Sequence, residues 1–151
     1  NVIEWIWWKI CGKPTDWIRT GKGNLVSSYQ MVQLEKDIPE KLGLQDASHF
    51  KISEKLSEKE WFSITRQIYA AVSAAGRANR IDTFNANYGL CRGMTASMLL
   101  LTLVFIFKFG LVTWTIPVVL FLLTIILFFR MIRFGKHYAR ELFVQFIQLQ
   151  K

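Results

Sequence analysis

The sequence predicts an all-α membrane protein, with a transmembrane helical hairpin and a cytoplasmic helical stalk. Gly93–Phe129 holds one charged side chain, Lys108, in 37 residues. One straight helix of that length would measure about 55 Å at about 1.5 Å per residue, and a bilayer core is about 30 Å thick. We therefore expect two spans, Tyr88–Phe107 and Trp114–Met131. A buried hairpin in a soluble core is the alternative, which the apolar residues on every face disfavour.

The residues between the two spans have the chemistry of a turn at a membrane surface. Lys108 and Trp114 are residue types found at membrane interfaces, and Gly110 is a turn former. Pro117 lies three residues after Trp114, where the first turn of a helix tolerates proline. The segment 88–132 is therefore expected to form the hairpin.

Charge placement predicts the orientation of the hairpin. Up to Glu60 the chain has nine basic and nine acidic residues, so the net charge of +8 lies in the remainder. Basic residues are retained on the cytoplasmic side of a membrane, and they flank the outer ends of the two spans. Both outer ends are therefore expected on the cytoplasmic side, and the short turn on the external side. The side chains expected to contact anionic headgroups are Arg92, Arg130, Arg133, Lys136 and Arg140.

Residues 1–24 predict an interfacial or membrane-exit segment followed by a basic loop. Trp5, Trp7 and Trp8 resemble an aromatic belt, either at the end of a further membrane helix or on an amphipathic surface helix. A cleaved signal peptide does not fit the charge pattern of the hairpin. Cys11 and Cys91 have no histidine cluster near them in the sequence, so we expect packing roles and neither a disulfide nor a zinc site.

Residues 25–87 predict a cytoplasmic helical region. Leu25–Lys36 is expected to form one helix that ends before Pro39, and Gly43 interrupts the helical periodicity of residues 41–52. Ser57 and Glu60 form a capping box at the start of the next helix. Its expected buried stripe is Trp61, Ile64, Ile68, Val72 and Ala75. Because no proline lies between Pro39 and Pro117, this helix is expected to continue into the first span, with a bend at Gly76 or Gly89.

Residues 133–151 predict a separate cytoplasmic amphipathic helix. Its apolar stripe consists of Tyr138, Leu142, Phe146 and Leu149. We expect this helix to pack antiparallel against the helix that begins at Trp61.

The first span carries small residues at a spacing that favours helix association. Gly89, Gly93 and Ser97 recur every four residues and would let another helix approach closely. This face either joins subunits or packs the second span of the same chain. Thr95 and Thr102 lie one heptad apart on a neighbouring stripe and are candidate pore-lining residues.

Enzymatic chemistry finds little support in the sequence. "GKG" at 21–23 lacks the spacing and the Ser/Thr of a phosphate-binding loop, and no metal-ligand spacing or nucleophile elbow is present. Arg130 and His137 match the Arg-x6-His string of HEPN ribonucleases. A row of cations beyond a membrane helix explains this string better. We predict no enzyme activity and no cofactor.

From about Trp61 onward the chain resembles the small two-transmembrane effector modules of bacterial defence systems. The order of a basic helix, a two-span hairpin and the segment "RMIRFGKHYARELFVQFI" is similar to that of SLATT-type domains and of small membrane proteins encoded beside Cas13 nucleases. The resemblance implies an oligomeric inner-membrane protein that perturbs the membrane when infection is sensed.

Two candidate functions are consistent with the sequence. The favoured one is an oligomeric membrane effector, with pore formation gated through the cytoplasmic helices. The other is a non-conducting accessory or scaffold subunit that docks a cytoplasmic partner. The expected partners are the lipid bilayer and further copies of the chain. A cytoplasmic protein or a nucleotide signal is a candidate trigger, and the sequence does not identify which. A polar pore lining would favour the effector, and the hairpin offers only Thr95, Ser97 and Thr102 for it.

Overall fold

The described part of the chain is helical. The computed structural model describes residues 12–21, 25–43, 50–53, 56–109 and 114–149, and these contain helices and no strand. The predicted all-α class is confirmed for these residues. The predicted N-terminal aromatic segment lies outside them, as do Cys11 and Gly110. The described helices are α1 Asp16–Arg19, α2 Ser28–Leu42, α3 Glu58–Ala74, α4 Asn79–Phe109 and α5 Thr115–Ile147.

The chain divides into two compact units. One, here named the core unit, comprises Asn1–Asp82 and Lys136–Lys151. The other, here named the hairpin unit, comprises Thr83–Gly135. Helices α4 and α5 each contribute to both units, since each runs without interruption through a unit boundary.

Helix α2 begins and ends differently from the prediction. It starts with a second capping box, in which Ser27 Oγ accepts from the Gln30 N–H and Gln30 Oε1 accepts from the Ser27 N–H. The expected end before Pro39 is wrong, because the helix continues to Leu42 and ends at Gly43 in the left-handed region. Pro39 removes one backbone hydrogen bond. Both Ile38 and Pro39 are buried, and this packing keeps the helix intact.

Helix α3 begins as predicted and ends earlier than predicted. Its capping box joins Ser57 and Glu60 in both directions. The expected continuous rod into the first span is wrong, since α3 ends at Ala74. Gly76 has φ 71°, and the N–H of Arg77 donates to the Val72 carbonyl at 3.1 Å. Gly76 therefore ends α3, and α4 begins as a separate helix at Asn79.

The centre of the core unit is a stack of two aromatic rings. The ring centroids of Trp61 and Phe143 are 5.7 Å apart and the planes are 12° from parallel. The indole N–H of Trp61 donates to the Thr15 carbonyl at 3.0 Å. The predicted contact between the Trp61 helix and the closing segment is therefore confirmed. Four positions of the predicted stripe of α3 are buried, and Ala75 is exposed, because it lies in the turn that ends the helix.

The closing segment is part of a longer helix. The predicted separate helix from residue 133 is wrong, since α5 runs unbroken from Thr115 to Ile147. No glycine stop or proline divides it, and Gly135 is buried inside it. Of the predicted stripe, Leu142 and Phe146 are buried, and Tyr138 and Leu149 are half-buried.

Two cations bind the carboxyl-terminal end of α5. Lys41 Nζ donates to the carbonyls of Phe146 and Ile147, both at 3.2 Å. Arg77 Nη1 donates to the Gln148 carbonyl at 2.9 Å. The last carbonyls of a helix lack partners within the helix and carry partial negative charge. These two side chains therefore fix the end of α5 to α2 and to the α3–α4 turn.

Candidate functional site

The exposed apolar surface of α4 and α5 is the main candidate for function. Both helices are long and apolar enough to cross a membrane, with mean hydropathy of 1.9 and 2.5 in their most apolar windows. Only 11% and 17% of those windows is buried. An apolar core helix of a soluble protein would be mostly buried. The exposed apolar side chains include Leu100, Val104 and Phe107 of α4 and Leu122, Ile126 and Phe129 of α5.

One face of each apolar helix is covered. On α4, one set of residues with restricted exposure in the hairpin unit recurs in steps of three and four. The set consists of Tyr88, Cys91, Thr95, Met98, Thr102 and Phe105, and five other residues of the unit on α4 are half-buried as well: Phe84, Asn87, Gly89, Arg92 and Ala96. On α5 the buried positions of this unit include Pro117, Thr124 and Met131. Such spacing is that of two helices packed side by side. This covered face, here named the seam, was missed by the sequence analysis, although the spacing of Cys91, Thr95 and Thr102 signals it.

Three threonine hydroxyls of the hairpin unit are satisfied within their own helix. Thr95, Thr102 and Thr124 each donate to the carbonyl four residues back, at 2.7, 2.7 and 2.9 Å. Thr102 is 4% exposed and Thr95 is half-buried. Since both belong to the seam, a pore lined by Thr102 would require the two helices to separate. The pore-lining role of the two residues stays a prediction.

The predicted association face of α4 is open. A Cβ atom added to Gly89 or Gly93 would meet nothing within 4 Å, and Ser97 is exposed. Gly93 is two residues from Thr95, which places it about 200° around the helix axis and so away from the seam. Among the described residues, no atom of the same chain packs closely on either glycine, and the intramonomer alternative stays a prediction. Their role in joining subunits stays a prediction.

The predicted headgroup-contacting cations lie on the two long helices. The Arg92 guanidinium is 5.8 Å from the Tyr88 ring centroid, and that of Arg130 is 5.5 Å from the Phe134 ring centroid. Stacking on aromatic faces suits cations at the edge of an apolar surface. The three further predicted cations are exposed: Arg133, Lys136 and Arg140. Lys108 is exposed near the opposite end of α4, and Pro117 occupies the first turn of α5 as expected.

Polar contacts in the core unit join α3 to the starts and ends of the long helices. The Tyr69 hydroxyl donates to Asp82 Oδ1 at 2.7 Å, and this hydrogen bond raises the pKa of Tyr69. Arg80 Nη1 lies 3.4 Å from Glu141 Oε1. Elsewhere in the core unit, in α1, burial raises the pKa of the Asp16 carboxyl group. The first two contacts tie α3, α4 and α5 together.

Among the residues that the structure describes, no group of three or more His, Cys, Asp or Glu side chains is placed to hold a metal ion. Arg130 and His137 are separated by two turns of α5, about 10 Å along the axis. The Phe134 ring lies against Arg130. The absence of ribonuclease activity stays a prediction from the sequence.

A comparison with protein-family models, with curated proteins and with solved structures finds no match. The resemblance to two-transmembrane effector modules therefore stays a prediction from the sequence.

Proposed function

We propose that this chain is an oligomeric inner-membrane effector whose hairpin unit crosses the bilayer twice and joins further copies through α4. The observation that carries the proposal is the exposed apolar surface of both long helices, which a lipid bilayer or other membrane helices would cover. The cations Arg92 and Arg130 lie near one end of this surface and suit anionic headgroups. A role in bacterial defence is part of the proposal and rests on the resemblance in the sequence.

The association surface proposed between copies is the open face of α4. Lipid gives helices no hydrophobic drive to associate, so close backbone packing has to supply it. Gly89, Gly93 and Ser97 leave room for such packing, and none of the described residues of the same chain fills it. In this arrangement the seam packs α4 against α5 of the same chain, and the opposite face of α4 packs against another copy of the chain.

Membrane perturbation by this assembly requires the hairpin to rearrange. The exposed faces of α4 and α5 are apolar, and the threonine hydroxyls donate to their own helices. A closed path lined by apolar side chains excludes water until it widens. The proposed effector is therefore non-conducting at rest and permeable after its core unit is moved by a trigger.

The accessory-scaffold function is the second candidate. It is favoured by the same satisfied threonines, since a resting structure without polar lining also suits a subunit that never conducts. The two candidates differ in permeation and agree on membrane insertion.

We expect Gly93→Ile to lower the oligomeric state of the protein in detergent and in lipid nanodiscs. A branched side chain on the open face would hold the neighbouring helix away and cost about 1–3 kcal/mol per interface, which lowers the association constant by about 5-fold to 160-fold. The measurement is molar mass by light scattering, corrected for detergent. Gly93→Ala is expected to have a smaller effect.

Met94→Ile is the matched control, because Met94 lies one residue away and about 100° around the axis. It should leave the molar mass unchanged. An oligomer that survives Gly93→Ile would remove the α4 face from the interface. For the oligomer that forms, dye release from liposomes separates the two candidates. Permeation that Gly93→Ile abolishes supports the effector, and an intact oligomer that releases no dye with any identified trigger supports the scaffold.

A further inference from the structure

The core unit carries an open groove between α2 and the end of α5. Its volume is about 460 Å³, within the size range of ligand-binding clefts. One side is formed by the start of α2, with Tyr29, Gln30 and Gln33. The floor includes Val144 and Ile147 of α5. Both sides belong to the same compact unit, so the groove is a property of that unit alone.

Arg140 gives this groove its charge. It is exposed, it lines the groove, and no acidic side chain among the described residues lies within ion-pair distance of it. It lies ten residues after Arg130 in α5 and belongs to the core unit.

The remaining lining suits a polypeptide. The amide groups of Gln33 and Gln148 can each donate and accept, as a peptide backbone requires. Tyr29 is 78% exposed at the groove, and Val32 is 66% exposed one turn further along α2. Tyrosine and arginine are among the residue types enriched as anchors of protein interfaces. The groove is partly open to solvent, whereas a small-molecule site encloses most of its ligand.

We propose that this groove binds an acidic segment of a protein partner. A carboxylate of that segment pairs with Arg140, its backbone bonds to the glutamine amides, and Tyr29 packs against its side chains. The partner would thereby contact the end of α5, which is the helix that continues into the hairpin unit. The binding step does not depend on pore formation, so it stands or falls separately from the proposed function.

The test uses the full chain in phosphatidylcholine nanodiscs and a phage-displayed library of random peptides, counter-selected on empty nanodiscs. We expect enriched peptides to carry Asp or Glu. The most enriched peptide, made synthetically, should bind at least tenfold more weakly to Arg140→Gln and to Tyr29→Ala, and more weakly at high salt. Gln33→Glu should also weaken it, by adding a like charge to the groove.

Lys36→Gln is the matched control, since Lys36 is an exposed cation of α2 that does not line the groove. It should leave the affinity within about twofold. Circular dichroism melting checks that the variants are folded. The proposal is overturned if no peptide is enriched, if enriched peptides lack acidic residues, or if Arg140→Gln binds as well as the parent. It is also overturned if phosphatidylglycerol in the nanodisc abolishes binding, because Arg140 would then serve headgroups.

Discussion

Trp61→Ala is expected to destabilise the core unit by about 3–5 kcal/mol, the usual cost of truncating a fully buried Trp. Trp61 has no exposed surface, its ring stacks on Phe143, and its N–H donates to the Thr15 carbonyl. The substitution removes the ring stack, opens a cavity and leaves that carbonyl without its donor. Because whole domains are stable by about 5–15 kcal/mol, a large part of the unfolding free energy would be lost. Thermal unfolding by circular dichroism and limited trypsin digestion would measure it.

Phe62→Ala is the control for this prediction. Phe62 is the next residue of α3, is 50% exposed, and has Lys13 and Arg66 over its ring. We expect it to cost less than about 1 kcal/mol, as for surface contacts of this kind. Trp61→Phe should restore part of the stability by keeping a ring against Phe143. Equal effects of Trp61→Ala and Phe62→Ala would contradict the placement of the core.

Two arginines on the exposed face of α5 are expected to prevent stable membrane insertion of the second apolar helix. Leu122 and Ile126 are one turn apart and 54% and 61% exposed. Each change to arginine near the middle of a span costs about 3–4 kcal/mol on insertion scales, so the double variant loses about 6–8 kcal/mol. On the surface of a soluble protein, the same exposed substitutions would be nearly neutral. Extraction of cell membranes with alkaline carbonate would measure the fraction retained.

Leu122→Ala with Ile126→Ala is the control for side-chain size, and it should stay in the membrane fraction. A chain that folds in water would instead become more soluble with two arginines. An unchanged carbonate-resistant fraction for the arginine variant would therefore count against insertion of α5.

Some helix boundaries could be predicted from the sequence, and others could not. The capping box at Ser57 and the two apolar helices could be predicted, because each depends on residues that are close together in the chain. The end of α2 was not, because burial of Ile38 and Pro39 keeps a helix that proline alone would end. The stop after α3 depends on Gly76 adopting a positive φ, and the sequence offered Gly76 only as a bend.

The candidate surfaces show the same division. The sequence predicted that Gly89, Gly93 and Ser97 share a face, since helical spacing fixes this. It did not predict that Thr102 faces the seam, since this depends on how α4 and α5 meet. The groove around Arg140 is formed by α2 and α5, whose lining residues are more than 100 positions apart in the chain. A local sequence pattern cannot predict that two such distant segments lie side by side.

The central claim is a double crossing of the membrane with both outer ends in the cytoplasm, and cysteine accessibility tests it most directly. Lys108→Cys and Gln148→Cys would be made singly in a chain whose Cys11 and Cys91 are replaced by alanine. Both positions have exposed side chains, so a reagent can reach them wherever water does. An impermeant maleimide added to intact cells should label Lys108→Cys and should label Gln148→Cys only after permeabilisation. Labelling of Gln148→Cys with protection of Lys108→Cys would show the opposite orientation. Equal labelling of the two positions on intact cells would contradict the double crossing.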